Sequence, residues 1–336
     1  MIKEAIEKIV ERIDLTEREA EEAMREIMEG AATSSQIAAY ITALRMKGES
    51  LSEICGSARI MREKATKIRV SDPHVVDTCG TGGDKSNTFN ISTTVAFVLA
   101  GCGVTVAKHG NRSVSSGCGS ADVLKALGVK IDLPVDRVES CVNEIGIGFL
   151  FAPLFHNAMK YAALPRQEIG IRTLFNILGP LTNPAGAAIQ IMGVFSKTLT
   201  DLLAQVLVNL GSRHCFVVHG SDGLDEISIT GPSHVSEGKD GRVLSYSITP
   251  EELGLPIGKK EELMGGSPAE NAAILHAVLK GEKGPKRNIV LMNAAPALVA
   301  VGLARNLKEA VAIAADAIDS GKADDKRSAL CEMTNR

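Results

Sequence analysis

A glycine-rich stretch that leads into polar side chains carries the strongest chemical signal in this sequence. Gly80, Gly82 and Gly83 follow the apolar segment 75–78 and come before an apolar helix. Hydroxyl and amide side chains crowd the start of that helix: Ser86, Asn87, Thr88, Asn90, Ser92 and Thr93. Glycine lets the backbone approach a ligand closely, and a helix N-terminus presents unpaired N–H groups to an anion. The stretch therefore predicts a phosphate-binding loop.

A second loop of similar chemistry follows a predicted strand over 103–107. It is basic and rich in hydroxyls over 108–117, and Ser120 is expected to cap the helix 121–127 that comes next. Neither loop matches the Walker pattern or the dinucleotide Gly-x-Gly-x-x-Gly pattern, and an ordinary capped glycine turn is the alternative for a single loop. Two such loops together predict a ligand with two phosphorylated ends.

An acidic turn over 219–226 follows the predicted strand 214–218. Its carboxylates, Asp222, Asp225 and Glu226, surround Gly223. Mg²⁺ prefers oxygen ligands and commonly keeps waters beside substrate phosphates, so the turn is a candidate metal site. A solvated acidic turn is the alternative, but a position at a strand end facing two phosphate loops favours the metal. Asp222 is expected to act only as a turn former.

Composition excludes several classes of protein. The 336 residues are 45% hydrophobic and carry a net charge of −3, which argues against a protein that coats nucleic acid. The N-terminus is charged and amphipathic, and the longest apolar run, 294–304, is interrupted by Pro296 and Gly302. Seven cysteines without Cys-x-x-Cys spacing predict free thiols. We therefore expect a soluble, cytoplasmic protein with no membrane or nucleic-acid partner.

Two patterns of secondary structure divide the chain. Residues 1–70 predict helices, with an apolar stripe over 1–13 and capping boxes that begin at Thr16, Thr33 and Ser50. From Asp72 onward, strands and helices alternate, which predicts an α/β sheet with its ligands at the carboxyl ends of the strands. Predicted strands are 74–78, 103–107, 147–151, 189–195, 214–218, 226–230 and 243–248; predicted helices include 91–100, 120–127, 135–145 and 198–210.

Three long motifs resemble one enzyme family across the whole chain. The segments DTCGTGGDKSNTFNIST, AKHGNRSVSSGCGSADVLKALG and RTLFNILGPLTNP resemble the anthranilate phosphoribosyltransferases, which are nucleoside-phosphorylase-like phosphoribosyltransferases. The resemblance implies a small helical domain over 1–70, joined by 160–184, that forms a homodimer interface. It also implies a large α/β domain over 71–336, with a mostly parallel or mixed sheet flanked by helices and a cleft between the domains.

The resemblance also implies a reaction and its ligands. The phosphoribosyl group of 5-phosphoribosyl 1-diphosphate (PRPP) would pass to the amine of anthranilate, in tryptophan biosynthesis. The implied PRPP-binding residues are Gly80, Gly82, Gly83, Asp84, Thr88, Asn90, Ser92, Thr93, Lys108, His109, Gly110, Asn111, Arg112, Ser113, Ser115, Ser116 and Ser120. Those for anthranilate are Gly80, Asn111, His156, Met159, Arg166 and Gly179. Ser92, Asp225 and Glu226 would hold two Mg²⁺ ions.

The residue types and their spacing leave two roles in this site undecided. Arg166 and Arg172 are both suited to grip a carboxylate, and spacing alone does not choose between them, although the family resemblance selects Arg166. His109 could be a general base, but an aromatic amine needs little deprotonation before attack, so a positioning role is expected.

Other functions remain as alternatives. A pyrimidine nucleoside phosphorylase has the same fold, but a Lys-His-Ser-Thr-Gly-Gly loop stands where this chain has residues 78–83, Thr-Cys-Gly-Thr-Gly-Gly. A relative that binds nucleic acid without transfer activity would need a basic groove and damaged metal or acceptor positions. A phosphate-binding regulatory module is disfavoured by the intact Arg166 and Glu226.

Overall fold

The N-terminal region of this computed structural model, which describes residues 1–112 and 117–336, is a bundle of four helices. These helices are α1 (Ile2–Val10), α2 (Glu17–Met28), α3 (Ser34–Lys47) and α4 (Leu51–Lys64). The predicted capping boxes at Thr16, Thr33 and Ser50 are confirmed, because each side chain accepts from the backbone three residues on and each box is reciprocated. The caps satisfy N–H groups that the helix leaves unpaired, which fixes where α2, α3 and α4 begin.

The remaining helices flank a sheet, apart from α9 (Lys160–Ile169) and α10 (Leu174–Leu178), which pack against the bundle. These remaining helices are α5 (Ile91–Gly101), α6 (Ser120–Ala126), α7 (Val135–Ser140), α8 (Ala152–Phe155), α9 (Lys160–Ile169), α10 (Leu174–Leu178), α11 (Leu199–Asn209), α12 (Pro268–Leu279), α13 (Pro285–Ala300), α14 (Leu307–Asp319) and α15 (Lys322–Asn335). Short 3₁₀ turns cover Asn157–Met159, Gly179–Thr182, Glu251–Leu253 and Lys260–Leu263, and a π turn over Cys141–Ile145 continues α7. No helix in the described ranges is both long and apolar enough to cross a membrane.

The sheet has seven strands in the order β3-β2-β1-β4-β5-β6-β7. They are β1 (Val76–Asp77), β2 (Val106–Gly110), β3 (Ile147–Phe151), β4 (Ile189–Gly193), β5 (His214–Gly220), β6 (Ser233–Lys239) and β7 (Arg242–Ile248). The first five in that order are parallel, and β6 and β7 extend the sheet antiparallel. The expected fold class, a helical domain plus a mixed sheet flanked by helices, is confirmed.

Apolar clusters cover both faces of the sheet. One cluster joins the four-helix bundle, through Leu178 and Leu181, to α11 and to Met192 and Val217 of the sheet. A second packs α5, α13, α14 and α15 against the opposite face, where Val106 and Ile191 lie. Burial on both faces is what a largely parallel sheet requires, and it leaves the carboxyl edge for ligands.

The sequence-based predictions for β2 and for the cap of α6 are wrong. The strand β2 begins three residues later than predicted, because Gly103 (φ +87°) turns the chain out of α5. Lys108 and His109 therefore lie in the strand and not in the loop after it. Ser120 does not cap α6: the N-cap is Gly119, and Ser120 is the first helical residue, with its hydroxyl bonded to the carbonyl of Asn111.

The predicted strand 226–230 is irregular, and β6 was not predicted. The backbone of Ile227 donates to and accepts from the side chain of Asn293 instead of a neighbouring strand. The amide of Ser228 likewise donates to the hydroxyl of Ser233. The strand that pairs with β5 is β6, whose sequence SHVSEGK lacks the apolar alternation that predicts strands.

Candidate active site

The loops after β1, β4 and β5 meet at the carboxyl edge of the sheet through contacts that only glycine permits. The amide of Thr81 donates to the carbonyl of Gly193 at 2.8 Å. A Cβ on Gly80 would lie 2.8 Å from that same carbonyl oxygen, and a Cβ on Gly193 would overlap the carbonyl of Asp225. Backbone contact without side chains thus places the glycine loop beside the acidic turn.

The glycine loop continues in left-handed backbone conformations. Gly82 and Gly83 have φ values of +63° and +80°, and Lys85 and Asn87 share this region. The guanidinium of Arg172 donates to the carbonyl of Gly83 and lies over the ring of Phe195, 4.4 Å from its centroid. Arg172 therefore supports the glycine loop, and one of its N–H groups is already donated to that loop.

Carboxylates from two loops converge at this edge. An oxygen of Asp84 accepts from the amide of Asp225 at 3.4 Å and another accepts from Ser86 at 3.1 Å. Burial and the neighbouring Asp84 raise the pKa of Asp225, and burial together with Asp225 raises the pKa of Glu226. A bound cation would favour the ionised form of carboxylates that raise one another's pKa. This oxygen-only donor set fits Mg²⁺.

Lys108 provides positive charge beside these carboxylates. Its buried ammonium donates to the carbonyl and hydroxyl of Thr78, at 3.3 and 3.1 Å, and to the hydroxyl of Ser92 at 3.4 Å. The same ammonium lowers the pKa of Glu226, against the larger effect of burial. Ser92 thus lies between the lysine and the acidic turn, at the start of α5.

The start of α5 is built from the predicted polar residues. Asn90 is the N-cap residue, but its amide donates to the carbonyl of Cys118 and its oxygen accepts from Asn271, each at 3.1 Å. The hydroxyl of Thr93 is buried and has no hydrogen-bond partner among the described residues. Thr88 pairs with Met264 in an isolated bridge.

The second predicted loop is only partly described. Gly110 ends β2, and the carbonyl of Asn111 accepts from the amide of Ala121 and the hydroxyl of Ser120, both at 3.2 Å. Asn111 and Arg112 are exposed. Ser113, Ser115 and Ser116 lie outside the described residues.

A buried cluster beneath the glycine loop was missed by sequence reasoning. Asp77, Cys79 and His109 place one ligand atom each within 4.8 Å of one another. Asp77 accepts from the amide of His109 at 3.1 Å, and burial raises its pKa to about 6. An aspartate at the end of the apolar segment VVDT is the one signal that could have revealed it, since a buried carboxylate needs a role or a partner.

The predicted acceptor residues lie beside this cluster. The rings of His109 and His156 have centroids 5.1 Å apart, and burial lowers their pKa values to about 3 and about 4. Both ring nitrogens of His109, and Nε2 of His156, have no partner among the described residues. Two neutral imidazoles thus lie side by side in the interior.

Arg166 differs from Arg172 in its surroundings. Its guanidinium lies over the ring of Phe175, 5.1 Å from the centroid, and burial lowers its pKa. Within residues 1–112 and 117–336 it makes no ion pair or hydrogen bond. Met159 is half-buried in the turn before α9. The 3₁₀ turn that begins at Gly179 is held against β4, because Gln190 donates to the carbonyl of Pro180 at 2.6 Å.

Comparison with known proteins agrees with this architecture. A model described as the helical bundle domain of a glycosyl transferase family matches residues 3–65, and the α/β domain model of that family matches residues 72–324. The anthranilate phosphoribosyltransferase of Moorella thermoacetica is 58% identical over 98% of this chain and 97% of its own length. The chain belongs to the anthranilate phosphoribosyltransferase family.

Solved structures of anthranilate phosphoribosyltransferases have the same fold. The enzyme from Thermus thermophilus superimposes with a TM-score of 0.93 at 43% identity, with 99% of each chain covered. The Saccharomyces cerevisiae enzyme in complex with PRPP and Mg gives a TM-score of 0.89 at 28% identity, with 99% of this chain and 98% of its own covered. The chain is thus a glycosyltransferase that transfers the phosphoribosyl group of PRPP to anthranilate, releasing diphosphate, in tryptophan biosynthesis.

Proposed function

We propose that this anthranilate phosphoribosyltransferase catalyses transfer by electrostatic stabilisation and positioning, with PRPP held between the glycine loop and the acidic turn. The observation that carries the proposal is the meeting of Gly80, Gly193 and Asp225 at one sheet edge, beside the Lys108 ammonium. A glycine backbone, a helix N-terminus and a buried lysine are the groups that bind phosphate oxygens. Of the predicted PRPP set, Lys108 donates to Ser92 at 3.4 Å, which supports this proposal.

Ser92, Asp225 and Glu226 would hold two Mg²⁺ ions. Support comes from the oxygen-only donor set, from the raised pKa values of both acids, and from the yeast relative, whose structure contains PRPP and Mg. When bound, Mg²⁺ supplies charge that stabilises the departing diphosphate. Asp84 accepts from the amide of Asp225 and so orients the turn toward the glycine loop.

The chain's own groups would act on the developing charges. The N-terminus of α5 and the ammonium of Lys108 face the leaving group, and their orientation is fixed before reaction by Thr78 and Ser92. Such preorganised charge lowers the barrier without reorganisation. The amine of anthranilate would attack ribose C1 from the face opposite the diphosphate, with inversion at C1.

Arg166 would bind the anthranilate carboxylate, with Asn111, His156, Met159, Gly179 and Gly80 around the ring. A half-buried guanidinium without an ion pair in the described chain is available for a carboxylate, whereas Arg172 already donates to Gly83. His109 would position the acceptor. Its pKa of about 3 makes it a weak base, so it is poorly suited to remove a proton.

We also infer a cytoplasmic homodimer whose interface lies on the helical domain, formed by residues 1–70 with 160–184. Ile2, Ala5 and Ile9 of the predicted stripe are buried within the bundle itself, whereas Val10, Ile13 and Met46 are 64%, 53% and 74% exposed. Exposed apolar side chains grouped on one domain support a protein interface. The seven thiols, all free, support a reducing compartment.

The test is an assay of the purified protein. Anthranilate fluorescence should fall only when PRPP and Mg²⁺ are both present, with one diphosphate released per anthranilate consumed. Comparable phosphorolysis of thymidine or uridine would instead support the phosphorylase alternative.

A further inference from the structure

The side chain of Asn293 binds both backbone groups of Ile227. Its Oδ1 accepts from the amide of Ile227 at 2.8 Å, and its Nδ2 donates to the carbonyl of the same residue at 2.8 Å. The second hydrogen of Nδ2 is donated to the carbonyl of Ile289, one turn earlier in α13, at 2.9 Å. Asn293 is 1% exposed and Ile227 is fully buried. The side-chain amide of Asn293 therefore pairs with the backbone of Ile227 as a neighbouring strand would, although Asn293 lies on a helix.

This contact lies directly after the acidic turn. Ile227 directly follows Asp225 and Glu226, in a segment that pairs with no strand of the described chain. Asp222 secures the other side of the turn, because its carboxylate accepts from the amide of Leu224 and from the hydroxyls of Ser228 and Thr230. Asn293 thus joins the backbone of Ile227, the residue that directly follows Glu226, to the helix α13.

We propose that Asn293 is a positioning residue for the metal site: it fixes the direction in which Asp225 and Glu226 present their carboxylates. The inference rests on the proposed role of those two residues. Without the amide, both backbone groups of a buried residue would lose their partners, and the segment would shift to reach water or other groups. Groups behind metal ligands typically change metal affinity by about 10- to 100-fold when they are removed.

The test measures metal binding directly in the intact protein. Mn²⁺ is titrated in the presence of PRPP and without anthranilate, and free Mn²⁺ is followed by electron paramagnetic resonance. Asn293→Leu keeps a similar volume and removes the amide. Thr334→Val is the matched control, because Thr334 is also buried and hydrogen-bonded but lies on α15, where it bonds to Lys130. Glu226→Gln reports on the metal site itself.

The expected result is that Asn293→Leu raises the half-saturating Mn²⁺ concentration about ten-fold or more, while Thr334→Val leaves it unchanged. The KM for anthranilate should stay within about two-fold, since that pocket is not altered. Wild-type Mn²⁺ affinity in Asn293→Leu, with weakened binding in Glu226→Gln, overturns the positioning role alone. Wild-type affinity in both variants overturns the metal assignment as well.

A second measurement needs no variant and covers the case in which Asn293→Leu does not fold. Residue-level hydrogen exchange of the wild-type protein should show the Ile227 amide protected to the same degree as amides of β5. Exchange at the rate of an unprotected amide would show that the Asn293 contact is absent in solution.

Discussion

The guanidinium of Arg172 donates to the backbone carbonyl of Gly83, whereas that of Arg166 lies over the ring of Phe175 and makes no hydrogen bond or ion pair within the described chain. The two arginines, equivalent candidates by sequence, are therefore chemically distinct. Arg172 belongs to the support of the glycine loop, and Arg166 is free to bind a carboxylate. Their variants should differ accordingly.

Arg166→Ala should raise the KM for anthranilate about ten- to a hundred-fold, because a hydrogen bond to a charged group contributes about 1.5–3 kcal/mol. The turnover number should change little, since the carboxylate has the same charge in ground and transition states. The KM for PRPP should move far less. Steady-state kinetics with each substrate varied in turn provides the measurement.

Arg172→Ala should lower the melting temperature and raise the KM for PRPP, because the glycine loop loses a charged donor. The KM for anthranilate should be nearly unchanged. If Arg172→Ala shows the selective anthranilate defect and Arg166→Ala does not, the acceptor site has been assigned to the wrong arginine.

Gly193→Ala should damage the site through the backbone. The new Cβ would overlap the carbonyl of Asp225, and overpacking of this kind costs about 1–3 kcal/mol or more. Thermal unfolding should show the loss together with weaker Mg²⁺ activation. The control is Gly179→Ala, where a Cβ meets no heavy atom within 4 Å, and its melting temperature should match wild type. Equal stability of both variants would show that the Gly193–Asp225 contact is not close in solution.

Acid should destabilise the fold through the buried histidines. The pKa of His156 is lowered from 6.5 to about 4 by burial, so below pH 6.5 the unfolded state binds a proton that the folded state does not. The free energy of unfolding should therefore fall as pH decreases from 7 to 5, by about 2 kcal/mol for this group. His156→Gln should lose less stability than wild type over that range. Parallel pH profiles for the two proteins would contradict burial of a neutral imidazole.

Assembly is tested by the exposed apolar residues of the helical domain. The protein should be a dimer at micromolar concentration by light scattering. Val10→Asp with Met46→Asp should produce monomers that retain the helical circular dichroism of the wild type, because both positions are exposed within one chain. The control is Glu7→Gln with Arg18→Gln, which replaces two exposed charged residues of the same bundle and no apolar residue. A monomeric wild type would reject the interface.

The sequence was sufficient wherever local chemistry determines structure. Reciprocal caps at Thr16, Thr33 and Ser50 depend on residues three positions apart, and the strand over 147–151 is apolar throughout. The sequence was insufficient where the hydrogen-bond partner of a segment lies far away along the chain. The alternating pattern of 226–230 is typical of a strand, but the backbone partner of Ile227 is Asn293, on a helix far along the chain.

The candidate site shows the same division. The glycine loop was predicted from its glycine and hydroxyl pattern alone, because phosphate binding favours those residue types. Asp77 and Gln190 were missed, since one buried polar residue in an apolar segment does not reveal which backbone group it contacts. The choice between Arg166 and Arg172 likewise depends on a contact with Gly83, many residues earlier in the chain.

Anomalous diffraction from crystals grown with PRPP and Mn²⁺ tests most directly whether the Asp225–Glu226 turn is the metal site. The donor set predicts anomalous peaks within coordination distance of Asp225 or Glu226, with one of them near the hydroxyl of Ser92. Within the described residues, the one group of three Asp, Glu, Cys or His side chains whose ligand atoms lie within 4.8 Å of one another is the buried Asp77–Cys79–His109 cluster. Peaks at that cluster, with none at the turn, would contradict the proposed metal site.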